Sequence, residues 1–147
     1  NKCYEVTENA LKVTFAELRT QNVSMEGMVL KPNMVISAID CPEQASVEKV
    51  AELTLKCLKT NVPTEVTGIA FLSGGQSSDA ATAHLNAMNA MGGSLPWNLT
   101  FSYGRALQQD ALNSWKGKNR EEGQSSFLER AKNNSLAAMG KFAKQAI

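Results

Sequence analysis

The 147 residues are 43% apolar and 20% charged, ordinary values for one globular domain with a sizeable core. Lys and Arg number 15 against 14 Asp and Glu, so the net charge is +1, with no basic block to suggest a nucleic-acid partner. No apolar run approaches the eighteen or so residues of a membrane span, and no signal peptide is visible, so no membrane partner is expected.

Cys3, Cys41 and Cys57 are odd in number, widely spaced and without a CxxC pair, which fits reduced thiols in a cytoplasm and small apolar packing roles. The chain opens directly in helical sequence, without Met or a start signal, and is expected to be a piece of a longer polypeptide. Over residues 4–20, Val6, Ala10, Leu11, Thr14, Phe15 and Leu18 recur at helical spacing, opposite Glu5, Glu8, Lys12 and Arg19. Asn22 follows this helix.

Residues 23–31 read as a first, buried strand, bounded by Pro32, which cannot donate to a ladder. Period-two alternation puts Gly27, Val29 and Lys31 on one face and Met28 and Leu30 on the other. Lys31 therefore stands at the carboxyl end of an apolar strand, where an ammonium is costly to bury. A lysine held in such a place favours its neutral amine, a nucleophile able to form a Schiff base with a carbonyl. The plainer alternative is a strand-end lysine whose stem packs while its head reaches water.

A loop over 32–42 leads to Ser46, a helix N-cap, with Glu48 in the first turn. Val47, Val50, Ala51, Thr54, Leu55 and Leu58 make the inner stripe of a helix to about residue 60, stopped by Asn61-Val62-Pro63. A second apolar strand, 67–72, runs into Ser73-Gly74-Gly75-Gln76-Ser77, and Ser78 or Asp79 then caps a helix. Ala80, Ala83, Leu85, Ala87, Met88 and Met91 fill its inner side, and Gly92-Gly93 closes it. A third strand, 97–103, runs into Gly104-Arg105 and a helix over 106–115, ended by Gly117. The last helix spans 121–139, with Phe127, Leu128, Ala131 and Leu136 apolar, and a weakly patterned tail follows over 141–147. Trp97, Phe101 and Tyr103 read as packing residues, and His84 stands alone with no metal-ligand spacing around it.

One helix followed by three strand–helix units defines an α/β chain of parallel strands with both sheet faces covered, in a doubly wound sheet or part of a β/α barrel. In either fold, ligands bind at the carboxyl edge of the strands. That edge carries Lys31, then Ser73-Gly74-Gly75, then Gly104-Arg105. Glycines let backbone N–H groups approach an anion, and an arginine at a helix start adds a guanidinium suited to phosphate. Taken singly, each is often only a turn or a helix start. Together on consecutive strand ends, they suggest an enzyme acting on a phosphorylated sugar or ketone.

The segments Glu26-Gly27-Met28-Val29-Leu30-Lys31-Pro32-Asn33-Met34-Val35, Phe71-Leu72-Ser73-Gly74-Gly75-Gln76-Ser77, Leu85-Asn86-Ala87-Met88-Asn89 and Phe101-Ser102-Tyr103-Gly104-Arg105-Ala106-Leu107-Gln108 resemble class I fructose-bisphosphate aldolase, to about Gly140. The resemblance implies that residues 1–140 are the carboxyl-terminal part of a (β/α)8 TIM barrel, strands six to eight, with 141–147 a tail. It implies Lys31 as the Schiff-base lysine, and Leu72, Ser73, Gly74, Gly104 and Arg105 around a substrate phosphate. It implies reversible, metal-independent cleavage of fructose 1,6-bisphosphate in glycolysis, with no cofactor. It also implies a cytoplasmic protein, a small sugar phosphate as partner, and a homo-oligomer, commonly a tetramer.

Two departures accompany it. The first five strands, with the acidic residues and second lysine that move protons, are absent, and no tyrosine follows Tyr103 to serve a carboxyl-terminal role. Three strands of eight also leave an open parallel edge, so the chain alone is expected to be unstable or inactive. The competing readings are another Schiff-base barrel lyase on a phosphorylated keto sugar and a non-catalytic aldolase-like interaction module.

Overall fold

A computed structural model describes residues 2–91 and 93–143; Gly92 of the expected glycine stop and residues 144–147 of the tail lie outside them. The elements are α1 (Lys2–Thr20), a 3-10 turn (Met25–Gly27), β1 (Val29–Leu30), α2 (Val47–Asn61), β2 (Gly68–Phe71), α3 (Ser78–Met91), β3 (Asn98–Phe101), α4 (Arg105–Trp115) and α5 (Arg120–Ala138). The expected first strand over 23–31 is thus reduced to two residues, with the 3-10 turn ahead of it.

The strands form a parallel sheet in the order β1-β2-β3. Leu30 lies opposite Ile69, Ile69 opposite Leu99, and Phe71 opposite Phe101. The ladder extends past the strand ends through Leu72 N–H to Pro32 O at 3.0 Å and Ser102 N–H to Phe71 O at 2.9 Å. Alternation then sorts the side chains. Ile69, Phe71 and Leu99 are buried, and Leu30 and Phe101 are half-buried, on the side where the core lies. Among the described residues the opposite face is only partly covered: Val29 is 61% exposed, Ala70 and Thr100 are half-buried, and Gly68 is buried. The sheet is therefore fully covered on one face only, not on both as its apolar strands predict. Amphipathic helices account for one face only, and what lies over the other is not supplied by the described residues.

The helices follow their stripes with small rotations. α1 buries Thr7, Leu11 and Phe15, at four-residue spacing, and leaves Val6 exposed. Asn22, at φ 55°, takes the left-handed conformation that ends it. α2 begins where Ser46 Oγ accepts from Lys49 N–H at 3.2 Å, an N-cap that satisfies one of the first-turn donors. Its buried Thr54 accepts Val35 N–H at 2.9 Å, which holds Met34 and Val35, each 1% exposed, in the core beyond β1. Cys57 sits fully buried on the same helix, and that burial pushes its thiol pKa up. α3 is capped one residue earlier than expected, by Ser77 Oγ accepting from Ala80 N–H at 3.2 Å. Its buried face is Ala81, Thr82, His84, Leu85 and Met88, while Met91 is exposed.

Trp97 is buried and donates Nε1–H to Pro63 O at 2.8 Å, and Tyr103 donates its hydroxyl to Ala81 O at 3.0 Å. Both are packing residues that also satisfy a main-chain carbonyl. α5 buries Gly123, Asn134 and Ala137, leaving Phe127 and Leu128 exposed. Arg130 Nη2 reaches Asp79 of α3 and Asp110 of α4, both at 2.8 Å, and so ties three helices together.

Candidate active site

Lys31 is the first residue past β1, on the face it shares with Val29, and it is exposed. The desolvation expected for it is therefore not provided by the described residues, because the end of β1 on this face is open. Pro32, directly after it, is buried, and its carbonyl is fastened to Leu72 at the end of β2. That bond sets the lysine beside the start of the glycine turn.

The turn itself is built by two consecutive left-handed glycines, Gly74 at φ 58° and Gly75 at φ 85°. Side chains rarely adopt this conformation, so glycine is what the local geometry requires. Ser73 O accepts Gln76 N–H at 3.1 Å, closing the turn. Ser73 is buried, Leu72 half-buried, and Gly74 and Gly75 exposed. Among the described residues, neither glycine N–H donates to another residue.

Gly104 and Arg105 begin α4, and no side chain caps its N-terminus. Among the described residues, the N–H groups of Arg105 and Ala106 at the positive end of the helix dipole have no hydrogen-bond partner. A cleft of about 280 Å³ separates the two loops, lined by Gly75, Gln76, Ser77, Arg105, Ala106 and Asp110. Asp110 is compensated by Arg130, while among the described residues Arg105 enters no ion pair. The structure therefore brings the glycine turn and Arg105 to one cleft, and places Lys31 on the same sheet edge. Arg105, Gly74 and Lys31 are all exposed. The arrangement can hold a phosphate between two loops and present an amine one strand away.

Two features had no signal in the local pattern. Gln76 Nε2 donates to Ser73 O at 2.8 Å, while its Oε1 meets His84 Nδ1 at 2.6 Å. His84 is 8% exposed, and burial lowers its pKa despite the opposing pull of the Glu48 carboxylate. The Arg130 clasp likewise joins residues 51 positions apart. A strand-end lysine, a glycine turn and a helix start on one edge of a parallel sheet define the class: a β/α fold with its candidate ligand site at the carboxyl ends of the strands.

The comparisons with known proteins are more specific. The model of the family "Fructose-bisphosphate aldolase class-I" matches residues 1–147. A "Probable fructose-bisphosphate aldolase class 1" of Xanthomonas campestris is 54% identical over 143 residues, covering 95% of this chain and 42% of that protein. The "Fructose-bisphosphate aldolase 5, cytosolic" of Arabidopsis thaliana is 49% identical, covering 96% of this chain and 40% of its own length. Among solved structures, the fructose-bisphosphate aldolase of Plasmodium falciparum, crystallised with TRAP and a small-molecule inhibitor, superposes with a TM-score of 0.92. It is 44% identical, covering 97% of this chain and 41% of that one. This chain belongs to the class I fructose-bisphosphate aldolase family, and its parallel β/α units are part of that barrel fold. It spans about two-fifths of the length of the relatives it matches.

Proposed function

We propose that residues 1–140 supply strands six to eight of a (β/α)8 barrel that cleaves fructose 1,6-bisphosphate reversibly, with 141–147 a tail. The observation that carries this reading is the shared sheet edge: Lys31, the Ser73–Gly75 turn and the Gly104–Arg105 helix start end three consecutive strands. In this reading the remaining strands close over the open face and take Lys31 out of water. Leu72, Ser73, Gly74, Gly104 and Arg105 hold one substrate phosphate, which fixes the C2 ketone over the amine.

The neutral Lys31 amine attacks C2, and loss of water gives a protonated Schiff base. Electrons from the breaking C3–C4 bond flow into this iminium, the C4 hydroxyl proton leaves, and glyceraldehyde 3-phosphate departs. The enamine takes a proton at C3, and hydrolysis returns the amine and dihydroxyacetone phosphate. The iminium polarises the bond, so the reaction needs no metal. The groups that move protons belong, in this reading, to strands outside this chain. The pathway is glycolysis, in the cytoplasm.

The test is a full-length barrel in which residues 1–143 replace their counterparts in the Xanthomonas campestris relative. Cleavage of the bisphosphate is expected with a chelator present, and is expected to vanish in Lys31→Met. Cleavage that survives in Lys31→Met, or that the chelator abolishes, would refute the reading.

A further inference from the structure

The Gln76 side chain is the junction between the glycine turn, α3 and the segment that follows Lys31. Its Nε2 donates to Ser73 O at 2.8 Å and lies 3.6 Å from Met34 Sδ. Its Oε1 accepts from His84 at 2.6 Å. Met34 is 1% exposed and stands three residues after Lys31. The orientation of the amide is set at its Ser73 end. A carbonyl oxygen can only accept, so the nitrogen of Gln76 must face Ser73 O. Oε1 then faces His84, which must carry its hydrogen on Nδ1. Protonation of the ring keeps that hydrogen in place, so the link holds in either charge state.

The turn does not need this side chain in order to close. Gln76 N–H already bonds Ser73 O at 3.1 Å, and both glycines carry their own positive φ. The second donor does something else. A peptide group is planar and trans, so its C=O and the next residue's N–H point in opposite directions. Two donors drawing Ser73 O toward the Gln76 side therefore aim Gly74 N–H away from it. Turning that N–H would now require breaking two hydrogen bonds.

We propose that Gln76 is a positioning residue that aims Gly74 N–H at the bound phosphate, and that His84 fixes the Gln76 amide for this task. The proposal rests on the reading of Ser73–Gly75 as a phosphate site. A fixed donor holds the phosphate alike in the substrate and the transition state, so its loss raises KM and leaves kcat.

The same full-length barrel tests it. Gln76→Leu is expected to raise KM for the bisphosphate about tenfold, and the competitive Ki of inorganic phosphate by a similar factor, with kcat within about twofold. His84→Leu is expected to raise both about threefold, and His84→Asn, which keeps a donor near the Nδ1 position, to restore them. Should Gln76→Leu fail to fold, the His84 pair decides. An unchanged KM in the Leu variants, or a fall in kcat at constant KM, overturns the proposal. Borohydride trapping of dihydroxyacetone phosphate on Lys31 in the parent keeps the two readings apart. No trapping there sinks the aldolase reading, whereas normal trapping with unaltered KM in the variants sinks the role of Gln76 and His84 alone.

Discussion

Gly123 lies in the first turns of α5, buried against α4, and replacing it with alanine sets two effects against each other. A Cβ there would stand 2.7 Å from Trp115 Cβ and 3.4 Å from Ala111 O. Ordinary contact begins near 3.4 Å, so the two helices would have to part by several tenths of an ångström. The clashing atom is a Cβ, fixed to its backbone, and no rotamer change moves it aside. Overpacking of this kind costs about 2–3 kcal/mol, while alanine's better helix propensity returns about 0.5–1 kcal/mol. The net expectation is a loss of about 1.5 kcal/mol, or roughly 2 °C in the melting temperature of the full-length barrel. Ser125→Ala, on the exposed side of the same helix, should instead gain a few tenths of a kcal/mol from propensity alone. Both are read by thermal melts in the full-length barrel. A Gly123→Ala protein as stable as its parent, or more so, would show that α4 and α5 do not pack this closely.

Thr54→Val keeps shape but leaves the buried Val35 N–H without its acceptor; it should cost about 1–3 kcal/mol in urea unfolding, and Thr54→Ser much less. His84 titrates below its ordinary 6.5 because it is buried, so the unfolded chain binds its proton first as pH falls. Its contribution to stability is complete above about pH 6.5 and is lost as pH drops toward the lowered native value, and His84→Asn should flatten that limb of the unfolding profile. Arg105→Ala should raise KM for the bisphosphate about 10–100-fold, the worth of a charge-assisted contact, with Arg105→Lys recovering only part because it supplies a point charge without the fork.

The strand ends were legible because their chemistry is local. Pro32 stops a ladder, two glycines permit a left-handed turn, and Ser46 caps a helix, each within a few residues of sequence. Burial was less legible because it depends on what lies across the sheet. Val29 and Lys31 read as buried from their apolar neighbours, yet their face stays open among the described residues. Helical phase was blurred where small residues abound: Ala80, Ala83 and Ala87 allowed several inner faces for α3, and the buried one includes His84 and excludes Met91. The links from Gln76 to Ser73 and His84, and from Arg130 to Asp79 and Asp110, left no periodic trace. A polar side chain reveals its partner only once the chain has folded.

A nucleophilic Lys31 forms an imine with a keto phosphate, and borohydride makes that bond permanent. The full-length barrel is incubated with dihydroxyacetone phosphate, reduced with borohydride, and mapped by peptide mass. The expected result is one reduced adduct on the peptide containing Lys31, absent from Lys31→Met while the fold is retained. An adduct on another lysine, or none in a folded parent protein, would rule out Lys31 as the nucleophile.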